Sequence, residues 1–501
     1  MDQELKLTEF SCCEPLKRQV LTSEETVEFS LGDYCADIGR IISWHTEPAV
    51  YGKRVREGGF EVMGAVSVTV LYVGMDGDGL RSCCIKVPFT MRREEKEGLC
   101  FVEAEAYCES CECRLVNARK ILCRCRAAVS VLPYGEKKLR FCPEFTAPAD
   151  LGIRQLCKKT DGVYLAQLWE KEFPFTDSVP LRQGRADEVL FSRLTPRVTE
   201  CRVCGAKVMV KGEVALFALC RGEEGGYLTV RGEMPFAQLT ELPCEGENTE
   251  FEAAACLKDH ALALVLDGGA QLLEAQMTVL LTLRARKPCR ETYVADLYGI
   301  RCEAEAQREM MTLAESERCF SKKQTLQVKA PAGLAPRSIL WAEGVCGAVE
   351  TVKEENAHAL RTLVTVKAVY LDETDAPALA QGSAECRLRL ETGEGSALYG
   401  ETVTVTEVTA AVGEDGMDCR AEVEFAFGHR LLRHVGAVVG VKTSPLQEEK
   451  ERPSVAVRRV EEGDTLWQLA KTHRTAVEAI EKANGGSMEK GSFLLVPKAR
   501  T

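Results

Sequence analysis

From Phe60 to Tyr72 every second residue is apolar or glycine: Phe60, Val62, Gly64, Val66, Val68, Val70 and Tyr72. Alternation at period two marks a strand with one buried face. The same pattern returns at Val208, Val210, Gly212, Val214, Leu216, Ala218 and Cys220, and again at Thr362, Val364, Val366, Ala368 and Tyr370. An apolar doublet sits thirty residues before the end of each: Ile41-Ile42, Val189-Leu190 and Ile339-Leu340. The three sets register without a gap at a period of about 150 residues. A chain of 501 residues is too long for a single core. The repeat therefore constrains it to three copies of one strand-built domain.

The flanking segments agree. Gly74-Met75-Asp76-Gly77-Asp78-Gly79 follows the first strand and Gly222-Glu223-Glu224-Gly225-Gly226 the second. Both read as hairpin loops rich in residues that tolerate positive φ. The next strand ends in Val87-Pro88-Phe89 or Met234-Pro235-Phe236. The third copy is expected to have a longer, proline-containing loop, and it lacks Pro-Phe. Further alternating runs follow at Ala127 to Leu132, Met277 to Leu283 and Ala421 to Phe427. The expected fold is mainly β, with repeated β-sandwich or barrel-like domains over 14–145, 165–305 and 322–442. Each domain is expected to leave a strand edge able to pair with a partner or another copy.

The last segment changes character. After TSPLQEEKERP, a charged, proline-marked stretch read as a linker over 443–454, the chain runs RRVEEGDTLWQLAKTHRTAVEAIEKANGGSMEKGSFLLVP from Arg458. A short strand at Arg458 to Val460 and a turn at Gly463-Asp464 are expected. Asp464 is expected to N-cap a first helix, and Thr475 with Glu478 to form a capping box for a second. Leu466, Leu469 and Ala470, then Val477, Ile480 and Ala483, repeat at helical spacing, and Phe493 to Val496 reads as a returning strand. With Gly463-Asp464-Thr465-Leu466-Trp467, Asn484, Gly491, Leu494 and Val496-Pro497 at matching spacing, residues 455–499 resemble a βααβ LysM domain. The resemblance implies a groove for N-acetylglucosamine polymers, carried here by Gly463, Asp464, Thr465, Asn484 and Gly485. Asp464 and Asn484 would serve equally as cap and turn residues. Leu466, Trp467, Val477 and Ile480 are expected to be structural.

Net charge of −12 argues against nucleic acid or an anionic membrane as partner. The opening MDQELKLTEF has neither a basic start nor an apolar core, so no secretory signal is expected. No apolar run reaches the roughly 20 residues of a membrane span. Six histidines show no HExxH spacing, and neither GxxxxGK[ST] nor GxSxG occurs, so no enzyme and no cofactor are expected. The 24 cysteines include CxxCxC at Cys108, Cys111 and Cys113, CxC at Cys123 and Cys125, and a lone CxxC at Cys201 and Cys204. The first two groups would supply zinc only if they met across a hairpin. The expectation is instead mostly free thiols acting as small apolar strand residues, with no metal.

Tyr34-Cys35-Ala36-Asp37-Ile38 leading into Ile41-Ile42, a Gly64-centred strand ending at Leu71-Tyr72, and Val87-Pro88-Phe89 resemble SPOCS domains. The second copy similarly closes with Asp296-Leu297-Tyr298. Repeated SPOCS domains before one LysM resemble the SipL-like spore-coat morphogenetic proteins. That resemblance implies a sporulation scaffold made in the mother-cell cytoplasm and acting at the forespore surface. Its LysM would bind the coat's basement-layer ATPase, while a peptidoglycan-binding role at the cortex or wall is the alternative.

Overall fold

The computed structural model describes the chain apart from residues 1, 4–5, 34, 78, 96–97, 183, 224, 243–247, 415, 447–453, 486–487 and 498–501. Tyr34, Asp78, Glu224 and Gly486, the centre of the expected linker and the end of the expected terminal domain lie outside the described residues.

Each copy is two facing sheets. In the first, Ile38–Arg56, Gly59–Gly74 and Leu80–Glu94 form an antiparallel meander. The opposite sheet centres on Lys120–Phe141, with Leu99–Asn117 on one side and Gln19–Ser30 and Thr8–Pro15 along the other. The second copy builds the same meander from Ala186–Cys204, Lys207–Gly222 and Tyr227–Glu241. The third centres it on Ala357–Asp372. The even positions read from the sequence are the buried ones: Val62, Val66, Val68 and Val70 face Ile121, Val129 and Val131 across the first sandwich. Equivalent cores form around Val208–Cys220 and Leu360–Tyr370.

The apolar doublets are β-bulges. Ile41 pairs with Tyr72, Val189 with Cys220 and Ile339 with Tyr370, and in each copy the register skips the following residue. Successive strand residues face opposite sides, and the one extra residue shifts the phase so that the residue after the doublet faces outward as well, opposite Leu71, Leu219 or Val369. So Ile41, Val189 and Ile339 pack into their own sandwiches, while Ile42, Leu190 and Leu340 turn outward. There they meet Leu71, Leu219 and Val369 of the central strands, with Phe191 and Trp341, in one core shared by all three copies. The Phe191 and Trp341 rings lie 4.0 Å apart. Reading only the even positions of these strands leaves out this outward-facing set.

A second shared core lies where the long strands run on past their sandwiches. Ile153–Pro180, Ala270–Gly299, Cys302–Pro331 and Gly416–Pro445 span 28 or 30 residues each, against a usual strand length of about 3–10. Parts of these strands, with Thr8–Pro15 and the end of Lys120–Phe141, bring Cys12, Leu139, Phe141, Cys289, Tyr293, Met311, Leu313 and Val435 together, with Tyr164 at the edge. The copies are thus packed on one another rather than strung on flexible segments. The expected linker is also shorter than read, because residues 443–445 still pair with 302–304.

Gly64 and Gly212 explain the Pro-Phe motif. A Cβ at Gly212 would stand 2.3 Å from Phe236 Cζ and 2.4 Å from Arg197 O, and Gly64 meets Phe89 and Ala49 in the same way. The neighbouring phenyl ring lies over the glycine. In the third copy Thr362 faces Cys386 at this place, so glycine and phenylalanine are exchanged together. Gly212→Ala is expected to lower stability by about 1–3 kcal/mol through overpacking. Gly226→Ala, which meets nothing within 4 Å, should stay within about 0.5 kcal/mol, both read from urea midpoints. The third hairpin loop is not longer than the others. It turns over 373–376, held by Asp372 Oδ1, which accepts from the Thr374 and Ala376 amides.

Candidate binding site

The terminal module pairs Val455–Arg459 with Phe493–Pro497 and packs α1, Leu466–His473, and α2, Val477–Asn484, on one face of this small sheet. Its core is Val460, Leu469, Ala470, Ile480, Leu494 and Val496. Leu466 and Val477 are half-buried against it and Ala483 is exposed.

The caps differ from those expected. Thr465, not Asp464, is the N-cap of α1: its Oγ1 accepts from Gln468 N at 3.2 Å, and the Gln468 side chain accepts from Thr465 N in return. A glutamine three residues into the helix completes this box as well as a glutamate would. Asp464 closes the preceding turn instead, accepting from Glu461 N at 2.9 Å. α2 has Ala476 as its N-cap, which carries no side-chain acceptor, and Thr475 lies one residue before it, fully buried.

The five residues expected to line a glycan groove divide. Gly463, at φ 89°, and Gly485, at φ 66°, hold turns that need glycine's freedom, and both are exposed with Thr465. Asn484 is committed to the fold: it donates to Ile480 O and Leu495 O at 2.7 and 2.8 Å and accepts from Leu495 N at 2.8 Å. This ties the end of α2 to the returning strand.

Trp467 is half-buried against the same core cluster, and it also reaches beyond the module. Its ring lies 4.9 Å from Tyr298 in an edge contact, and its Nε1 donates to Asp296 Oδ2 at 2.8 Å. Lys471 Nζ reaches the same carboxylate at 2.7 Å, Arg474 pairs with Glu303, and the Tyr298 hydroxyl donates to Thr475 O at 2.7 Å. One side of α1 is therefore docked on the end of the strand Ala270–Gly299 and the start of Cys302–Pro331, and the module does not hang free on its linker. Asp296-Leu297-Tyr298 was legible as a closing motif, but its use as a seat for the module was not.

Burial raises the Asp296 carboxyl, but the hydrogen bonds from Lys471 and Trp467 and the nearby Arg308 outweigh it and hold the group below its ordinary value. A depressed carboxylate stabilises the contact above its unfolded pKa, near 4. That contribution is lost as pH falls through the still lower docked value. Tryptophan fluorescence of a variant retaining only Trp467 is expected to report undocking below about pH 4, and Asp296→Asn should remove the transition.

The opposite face of the small sheet is largely apolar and exposed, with Arg459 standing across from Phe493 on it. Val455, Val457, Phe493 and Leu495 are 49, 62, 71 and 44% exposed, and Val457 sits directly across from Leu495.

Residues 459–488 match the family model for the LysM domain. No curated protein and no solved structure matches the chain. A LysM domain points to binding of carbohydrate or peptidoglycan as the module's class of role. Among the described residues no helix is long and apolar enough to cross a membrane.

Proposed function

We propose that the chain is a non-enzymatic scaffold whose LysM contacts a protein, in the manner implied by the likeness of its repeats to SPOCS domains. The observation that carries this reading is the open apolar face of Val455, Val457, Phe493 and Leu495. Apolar patches left open on a folded surface mark contact sites for other proteins, and aromatic anchors carry much of the energy there. The three packed copies would hold this face rigidly at one end of a large body. The partner proposed is the coat's basement-layer ATPase, met in the mother-cell cytoplasm at the forespore surface.

A second reading is glycan binding, favoured by the exposed Gly463, Thr465 and Gly485 and by the LysM match. The two readings use different surfaces and separate cleanly. The full chain and its Val457→Glu, Phe493→Glu double variant would be mixed with the purified ATPase and, separately, with peptidoglycan sacculi. The scaffold reading expects binding to the ATPase, lost in the variant. Sedimentation with sacculi, unchanged in the variant and without ATPase binding, would establish the glycan reading instead.

A further inference from the structure

The first copy differs from the other two at one place in its core. On the hairpin of Leu99–Asn117 and Lys120–Phe141, Cys111 pairs with Cys125 and Cys113 with Cys123. The same register positions in the second copy hold Leu262 with Ala275 and Leu264 with Leu273. In the third they hold Val408 with Ala421 and Ala410 with Cys419. Where the second copy carries no thiol and the third only Cys419, the first carries four on one face of one hairpin, with Cys108 beside Cys125 as a fifth.

These thiols converge. Cys123 Sγ lies 3.9 Å from Cys111, 3.7 Å from Cys113 and 3.6 Å from Cys125, and Cys125 lies 3.0 Å from Cys111. A tetrahedral ion with metal–sulfur bonds of about 2.3 Å holds its sulfurs about 3.8 Å apart. Cys111, Cys113 and Cys123 already lie mutually within 4.8 Å, whereas Cys125 joins the set from the Cys111 and Cys123 side, so a tetrahedral ion would need it to swing away from Cys111 by about 0.8 Å and in toward Cys113. Disulfides suit the site less well. Directly opposed strand residues have Cβ atoms about 4.5–5.5 Å apart, whereas a disulfide prefers about 3.5–4.5 Å. The site is shielded by the sandwich, with Cys113, Cys123 and Cys125 buried. Cys111 is only half-buried, beside Trp44, whose Nε1 donates to Cys111 O at 3.0 Å. That edge offers a path inward.

We infer that Cys111, Cys113, Cys123 and Cys125 form a structural tetrathiolate site for a thiophilic divalent ion, zinc being the natural fit. Four thiols lose their protons as the ion binds, and four protein ligands leave no open position, so the site is structural and not catalytic. It pins the edge strand Leu99–Asn117 to its neighbour in the first copy alone. The expectation of uncoordinated apolar thiols is thereby revised for these four cysteines.

The test uses the full chain, kept reduced and purified without chelator. Elemental analysis is expected to find about one zinc per chain. Loading the apoprotein with cobalt should give the visible absorption of a tetrahedral cobalt thiolate, bleached by added zinc. The matched variant takes the second copy's residues: Cys111→Leu, Cys113→Leu, Cys123→Leu and Cys125→Ala. It should melt cooperatively and hold no zinc. A wild-type protein with neither zinc nor a cobalt spectrum would overturn the inference, whether or not the variant folds. So would a folded variant that keeps its zinc, which would place the ion elsewhere, as at Cys201 and Cys204.

Discussion

Replacing Arg286 with methionine is expected to cost about 3–5 kcal/mol of stability, the usual consequence of stranding a buried charge. Arg286 is 5% exposed and joins two copies. Its guanidinium meets Glu317 at 3.4 Å and Tyr399 at 3.4 Å in the third copy, and Glu252 at 2.6 Å in its own. Glu317 is itself 5% exposed and accepts from the Tyr399 hydroxyl at 2.7 Å. Without the arginine, that carboxylate stays buried and loses the guanidinium that meets it. Chemical denaturation of Arg286→Met should show the loss, and Arg286→Met with Glu317→Leu should recover much of it, because the deeply buried carboxylate is gone and only the more exposed Glu252 is left without its partner. A double variant as unstable as the single one would show that the arginine acts by filling space.

The second large effect separates two residues of the terminal module. Ile480 is fully buried in its core, and Ile480→Ala is expected to cost about 2–5 kcal/mol. A domain of this size cannot spare that much, so the module should unfold. Trp467 packs on Tyr298 of the second copy and is only half-buried. Trp467→Ala is therefore expected to release a module that remains folded. Limited proteolysis distinguishes the two: cleavage within 455–497 for Ile480→Ala, and cleavage confined to the segment before Val455 for Trp467→Ala. Cutting inside the module in both variants would mean that docking and folding are a single event.

Much of the architecture could be read from the chain. Period-two alternation is imposed by the strand itself, since successive side chains point to opposite faces. That fixed the buried positions of the three central strands before any tertiary contact was known. The glycines at 64 and 212 and the phenylalanines at 89 and 236 are likewise paired by register, and they appear as a repeated motif. The terminal helices were legible from the spacing of Leu469, Ala470, Val477 and Ile480. Their caps were not, because Asp464 and Thr465 are both good cap residues and only the backbone path decides between them.

What the sequence could not decide is how faces meet across large separations. The doublets announce a repeated feature, but whether the second residue is waste or a contact depends on a bulge and on two other copies 150 and 300 residues away. The cysteines pose the same problem. CxC places two thiols on one face of a strand, and a second CxC does the same elsewhere. Only the register of Cys111 with Cys125 and Cys113 with Cys123 brings the pairs together. Asp296 and Tyr298 become a seat for Trp467 only when strand ends of two copies turn beside the module. The alternation along each strand belongs to the sequence, because it follows from local backbone geometry. The shared cores, the docking seat and the thiol cluster belong to the tertiary structure, because each depends on the relative placement of segments that no local rule connects.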